Sequence, residues 1–293
     1  MDFVKVRRCS IRDIFKYYLK ASKYDIVYDT INSISKYLGL IPKLLRPFKL
    51  VTILHHPPYD KQLKFADSDA YIFFSNGLFE IGRSACMRKT DKMFLNEWRP
   101  DYSYYRKYFV GEKQQLYDFV DCGRTNRDHH SVVEAAIQTD SKCLFFDRRG
   151  VRAQSEYNIR EGINTFFYKD DVIPDDTYIS LIQNSKVMIL ALPESDKVYG
   201  PLGATVLMDA LGLGIPIICS DNAYCSELVK QTGIGLIYHA GDVASLAKCM
   251  ELLKQESLYN QCKDNLKAYN KSIGSGMQDY SVKVMEIIKH VLS

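Results

Sequence analysis

Thr205 and Asp209 stand four residues apart in the segment VMILALPESDKVYGPLGATVLMDALGLGIPIICSD, residues 187–221. That spacing puts both side chains on one face of a helix. The apolar run ending at Pro193 reads as a strand buried on both faces, and a helical pattern follows from about Gly203 to Leu213. A Gly-x-Pro turn then leads into a second buried strand, Ile215 to Ser220. In an open parallel sheet, ligands bind outside the carboxyl ends of such strands. A helix starting there aims unpaired backbone N–H groups at them, so a phosphate fits near its N-terminus. One turn further in, the Asp209 carboxylate can accept hydrogen bonds from two adjacent hydroxyls, as on a ribose. The competing reading of Asp209 is a solvated helix residue.

The elements that must position these residues repeat along the whole chain. Strand-length apolar runs occur at Asp25–Tyr28, Leu50–His55, Ala70–Ser75 and Lys92–Trp98, with helical patterns at 11–22, 31–45, 76–88 and 103–110. The polar stretch at 111–115 reads as a linker. Alternation resumes with strands at Tyr117–Asp121, Cys143–Phe146, Asn164–Tyr168 and Gly233–Tyr238, and helices at 129–138, 176–184, 224–231, 242–254 and 256–270. The expected fold class is α/β, with two Rossmann-like doubly wound domains facing a cleft. The expected division is 1–112, 113–276, and a terminal helix at 277–293. That helix sets Val282, Met285, Ile288 and Leu292 on one stripe and is expected to pack back on the first domain.

Bulk properties narrow the class. The 293 residues suit two domains, and 46% apolar with 25% charged content is ordinary for globular proteins. No apolar run approaches the roughly 18 residues of a membrane span, and MDFVKVRRCS lacks a signal peptide's apolar core. A cytoplasmic protein is expected. None of the eight cysteines forms a Cys-x-x-Cys pair, which argues against a zinc site, and Cys122, Cys143 and Cys219 sit in or beside strand-like runs as small apolar groups. Residues 1–112 hold 20 Lys and Arg against 12 Asp and Glu, while the remainder is net acidic. The basic stretch IPKLLRPFKL at 41–50 reads either as a peripheral contact with an anionic membrane surface or as a helix with a solvated basic rim. Aromatics are not interleaved with the basic residues, so no nucleic acid partner is expected.

Three blocks in order resemble the GT-B glycosyltransferases, specifically the retaining family 4 group. They are CGRTNRDHHSVVEAA at 122–136, MDALGLGIPIICSD at 208–221 and SELVKQTGIGLIYHAGD at 226–242. The resemblance is weaker before residue 116, where LHHPP at 54–58 and WRPD at 98–101 are the landmarks. It implies a transferase that moves a hexosyl group from a nucleoside diphosphate sugar to a glycan or lipid-linked acceptor, in surface polysaccharide biosynthesis, with no cofactor and no metal. Asp209 replaces the family's usual Glu. The preceding acidic position of the family's Glu-x7-Glu motif holds Pro201, and Glu194 in the same loop is the candidate substitute. Family members open with a strand and a Gly-rich loop, whereas this chain starts with a helical pattern, so its first domain reads as shortened.

The resemblance distributes roles. Arg124 and Arg127, at a strand-to-helix turn, suit the charge developing on the departing diphosphate, since a guanidinium grips two phosphate oxygens at once. Read without it, they are two solvated arginines of a surface turn. Gly203, Ala204 and Thr205 would lie near phosphate or sugar, with Asp209 on the ribose. His55 and His56 follow a buried strand; either could hold the donor sugar or move a proton, or be a strand-end histidine satisfied by a carbonyl. Two other functions remain open on the same residues: a non-catalytic nucleotide-sugar-binding relative or partner subunit, and a sugar-nucleotide epimerase of the same fold.

Overall fold

A computed structural model describes residues 13–30, 32, 34–55, 66–108, 114–123, 126–146, 165–168, 173–195 and 202–293. The chain divides into two units, Met1–Trp98 with Met277–Ser293, and Arg99–Gly276. The division thus falls between Trp98 and Arg99, ahead of the polar stretch at 111–115.

In the first unit, β1 (Ile26–Asp29), β2 (Lys49–Leu54), β3 (Ala70–Phe73) and β4 (Met93–Leu95) form a parallel sheet in that order. Leu50, Val51, Ile53 and Leu54 are all buried, as a strand covered on both faces requires. Helices α1 (Ile14–Ala21), α2 (Ser35–Leu38) and α3 (Asn76–Ala85) accompany the strands. The Ser75 hydroxyl caps α3 by accepting from Leu78 N at 3.3 Å. The single helix expected over 31–45 is not formed. Instead α2 is one turn long, held at its start by Asp29 Oδ2, which accepts from Ile34 N and Ser35 N at 2.9 and 2.7 Å. Gly39 follows its last residue, Pro42 cannot continue an N–H ladder, and a short 3-10 turn occupies Lys43–Leu45.

The second unit opens with α4 (Tyr102–Lys107), capped by Asp101, which accepts from Ser103 N and Tyr104 N. Then come β5 (Tyr117–Asp121), α5 (His129–Gln138), β6 (Cys143–Phe146), β7 (Thr165–Tyr168), α6 (Asp175–Gln183), β8 (Ser185–Leu190), α7 (Ala204–Leu213), β9 (Ile217–Ser220), α8 (Ser226–Thr232), β10 (Gly235–Tyr238), α9 (Val243–Lys254) and α10 (Glu256–Ser272). The six strands are all parallel, in the order β10-β9-β8-β5-β6-β7. Phe119, Phe145, Val187 and Ile218 from the sheet meet Val132 of α5, Leu246 and Met250 of α9, and Cys262 of α10 in one buried core. Cys122, Cys143, Cys219, Cys225, Cys249 and Cys262 are buried, and Cys86 of the first unit is half-buried.

The last helix, α11 (Met277–Leu292), groups with the first unit, where Asn96 Nδ2 donates to the Tyr280 carbonyl at 3.1 Å. Its buried face is Val284, Ile287 and Ile288. Of the expected stripe only Ile288 is buried; Val282, Met285 and Leu292 are exposed. Apolar residues lie on both sides of this helix, so periodicity alone offers two candidate stripes.

Candidate functional site

The chain enters the second sheet at β5, moves through β6 to the edge strand β7, and returns to pair β8 with the other side of β5. The segments leaving β5 and β8 therefore diverge at adjacent strand ends, and a crevice opens at such a reversal. Asp128 N donates to the Ala191 carbonyl at 3.1 Å and ties the two loops together. The Asp128 side chain caps α5, accepting from Ser131 N at 3.1 Å and Ser131 Oγ at 2.6 Å.

Arg127 lies in this turn as a buried side chain rather than a solvated one. Its Nε donates to the Cys122 carbonyl at 3.1 Å, which folds the guanidinium back over Gly123. Gly123 has φ of 124°, and a Cβ there would sit 2.3 Å from Arg127 Nη2. The glycine of the Gly-Arg block thus serves the second arginine: it supplies the backbone conformation and the space for a guanidinium. Burial lowers the Arg127 pKa, opposed by the nearby Asp121 charge. Asp121 ends β5 fully buried, and its Oδ2 meets His129 Nδ1 at 2.6 Å. Its Oδ1 has no hydrogen-bond partner among the described residues. His129, at the start of α5, is itself buried.

On the β8 side, Gly203 is the N-cap of α7 and packs against Leu190, with Ala204 buried and Thr205 exposed. Among the described residues, no side chain caps this helix start. One turn in, Asp209 is neither solvated nor open on all sides. Tyr105 Oη donates to its Oδ1 at 2.7 Å, and Tyr178 Oη donates to its Oδ2 at 2.9 Å. Burial raises the Asp209 pKa to about 6, the two hydroxyls offsetting only part of the desolvation. Tyr105 reaches the carboxylate by lying on Gly212, where a Cβ would come within 2.1 Å of its ring. A glycine inside a helix costs about 1 kcal/mol against alanine, and here it makes room for the tyrosine. Neither tyrosine was singled out from the sequence; the glycine inside α7 was the only trace of Tyr105. A carboxylate oxygen has two lone pairs, so each oxygen of Asp209 retains acceptor capacity for a ligand hydroxyl.

Residues 152–269 match the family model described as glycosyl transferases group 1. Comparison with curated proteins finds no match. Among solved structures, a glycosyltransferase from Rickettsia africae superposes with a TM-score of 0.75 at 13% identity, covering 100% of this chain and 85% of that one. Sucrose-phosphate synthase from Thermosynechococcus elongatus gives 0.73 at 15% identity, covering 94% and 76%. HepE from Anabaena, solved with UDP-glucose, gives 0.74 at 15% identity, covering 94% and 82%. The fold is GT-B. At these identities the structural likeness establishes architecture.

The remaining candidates fall at several places in the GT-B chain. Glu194 is exposed; a Cβ on Gly241 would lie 3.5 Å from its own Cβ, and its charge helps raise the His239 pKa behind the larger effect of Asp221. That places it by the ends of β9 and β10, where His239 Nδ1 meets Asp221 Oδ2 at 2.6 Å. His55 belongs to the first unit. Its Nε2 contacts the Thr30 carbonyl and its ring lies 5.0 Å from that of Phe74, matching the strand-end histidine satisfied by a carbonyl. His56 and Arg124 lie outside the described residues, as does Pro201. One Asp-x-Asp spacing does occur in the chain, Asp67-Ser68-Asp69, but it is engaged by cations. Lys92 reaches Asp67 at 3.0 Å, Lys89 reaches it at 3.4 Å, and Lys43 reaches Asp69 at 3.0 Å.

Proposed function

We propose that this GT-B protein transfers a hexosyl group from a nucleoside diphosphate sugar to a glycan or lipid-linked acceptor, with retention and without a metal, in surface polysaccharide biosynthesis. The carrying observation is the β5–β8 switch point, where a buried arginine, the N-terminus of α7 and a carboxylate held by two tyrosine hydroxyls line adjacent strand ends. The N–H groups of α7 and the field of Arg127 receive the diphosphate, and a buried guanidinium acts more strongly than a solvated one because water screens it less. Asp209 holds the ribose through the lone pairs its tyrosines leave. His55, His56, Arg124 and Glu194 stay in the proposal as sugar, proton and phosphate contacts. UDP-glucose is the donor to test first, since the Anabaena neighbour was solved with it. The protein works in the cytoplasm, in peripheral contact with the inner membrane surface.

Arg127→Ala tests the assignment. Losing a charge-assisted interaction in a buried site costs on the order of 1.5–3 kcal/mol, roughly ten- to a hundredfold in affinity. Calorimetry should show that loss for UDP and little change for uridine. Equal losses for both would mean that the turn, not the contact, was damaged. A second reading is binding without transfer, since Pro201 stands where the family's motif has its first Glu. Slow release of free sugar from the donor in water separates the two, because a transferase leaks and a binding subunit does not.

A further inference from the structure

The two rings that hold Asp209 are themselves locked in place. Tyr105 of α4 lies on Gly212 and meets the Tyr104 ring edge-on at 5.2 Å, and Tyr104 in turn meets Tyr108 at 5.2 Å. Tyr178 of α6 packs edge-on against Phe146 of β6 at 5.1 Å. Their hydroxyls donate to different oxygens, Tyr105 to Oδ1 at 2.7 Å and Tyr178 to Oδ2 at 2.9 Å. A tyrosine has only two χ angles, so fixing such a donor costs little conformational entropy. With its proton on Asp209, the Tyr178 oxygen accepts from the Cys122 thiol, and the Cys122 carbonyl accepts from Arg127 Nε at 3.1 Å. Tyr178 thus links the carboxylate of α7 to the arginine turn after β5.

A carboxylate that only served the fold would be met by a cation, as Asp67 is, or could be an apolar residue of similar size. Here the partners are neutral, and Asp209 is half-buried rather than sealed. Each oxygen has two lone pairs, so one hydroxyl donating to each leaves one acceptor direction on each. Two such directions, side by side, match two hydroxyls on neighbouring carbons. The match needs the ionised form, because a protonated carboxyl turns one of its oxygens into a donor. Burial pushes the Asp209 pKa up to about 6, and the two tyrosine hydroxyls push it down. Among the described residues, its titratable and charged surroundings are Tyr104 and Tyr105 of α4, Tyr178 and Asp175 of α6, and Cys122 with Arg127 and the Asp121–His129 pair of the same turn. Burial pushes the three tyrosines and the thiol up, and the guanidinium keeps its charge. Asp209 changes charge between pH 5 and 8, and the His129 imidazole can do so too, so Asp209→Asn separates them.

We infer that Tyr105 and Tyr178 are positioning residues of the donor site, holding the Asp209 carboxylate so that it receives two neighbouring hydroxyls of a nucleotide ribose. This rests on the donor reading above and adds to it two residues and a pH dependence. The test is calorimetry of the full chain with UDP-glucose from pH 5 to 8. Each phosphate of that ligand keeps one charge throughout, whereas the terminal phosphate of UDP titrates near about pH 6. Wild type should lose about tenfold in affinity from pH 7 to pH 5, with a midpoint near 6. Asp209→Asn should bind weakly and show no such midpoint. Tyr105→Phe and Tyr178→Phe keep the rings, and each should move the midpoint up by about 0.7 pH units, because a lost donor lets the carboxyl hold its proton longer. At pH 8 wild type should prefer UDP over its 2′-deoxy form by roughly ten- to a hundredfold, and each Phe variant should shrink that preference. Phe variants that weaken both nucleotides alike and leave the midpoint in place overturn the tyrosine role while the donor reading stands. A wild-type affinity flat with pH, or a midpoint that Asp209→Asn retains, overturns it as well. If wild type binds neither UDP-glucose nor UDP, the donor reading itself fails and the ribose role falls with it.

Discussion

Asp67 and Asp209 are both surrounded carboxylates, yet their surroundings push them in opposite directions. Burial would raise the Asp67 pKa, but Lys92, Lys89 and Lys43 overrule it and hold the group below the ordinary carboxylate range. Burial dominates at Asp209, where two tyrosine hydroxyls offset only part of it and the pKa reaches about 6. Cations consume a carboxylate's charge. Neutral donors fix its position and leave the charge for something else. In the first unit the acidic pair is part of the fold's cement, whereas in the second the carboxylate is kept in place at a cost, as sites for ligands are.

The comparison can be broken most forcefully at the third carboxylate, Asp121. His129→Leu leaves it buried with neither oxygen partnered among the described residues, and losing one member of a buried pair costs about 3–5 kcal/mol. Urea unfolding should show that loss; a change under 1 kcal/mol would mean water reaches the pair.

Asp209→Asn sharpens the contrast with the opposite sign. The folded pKa lies above the unfolded one, so the group's contribution is most favourable below about pH 4 and is lost as pH rises through about 6. At pH 8 the substitution should therefore stabilise the protein by up to about 3 kcal/mol, and near pH 4 it should do nothing. Thermal unfolding across that range reads it directly. UDP affinity should fall at the same time, and a variant that gains stability without losing UDP would remove the ribose role.

The smallest effect belongs to Asp67→Asn, at most about 1 kcal/mol, because the pairs there are partly exposed. Its sign is reversed: stability is lost at neutral pH, and the difference vanishes as pH falls below 4 through the depressed pKa. A pH-independent loss would show that the lysines play no part.

The scaffold was more legible in the sequence than the site. Tyr117–Asp121 and Cys143–Phe146 were placed to the residue because strands of a parallel sheet read as continuous apolar runs between polar turns. The helix over 31–45 failed where Gly39 and Pro42 outweighed its apolar spacing. The turn at 122–128 was recognisable as a Gly-Arg block, but not that its glycine accommodates Arg127 or that His129 is buried. Local pattern says nothing of Tyr105, which meets Asp209 across 104 positions of sequence. The same contact explains the unit boundary: α4 sits before the polar stretch, yet Tyr105 seats it on α7, so it belongs with the second sheet.

The cysteines make the two units separately observable. Six buried cysteines all belong to the second unit, and the only described cysteine of the first, Cys86, is partly accessible. Burial raises the pKa of Cys122, Cys143 and Cys249 as well as hiding them, so the reactive thiolate is scarce until the unit opens. An alkylating reagent applied to the native protein therefore acts as a clock: slow labelling of the six buried cysteines counts openings of the second unit, while Cys86 keeps its own time.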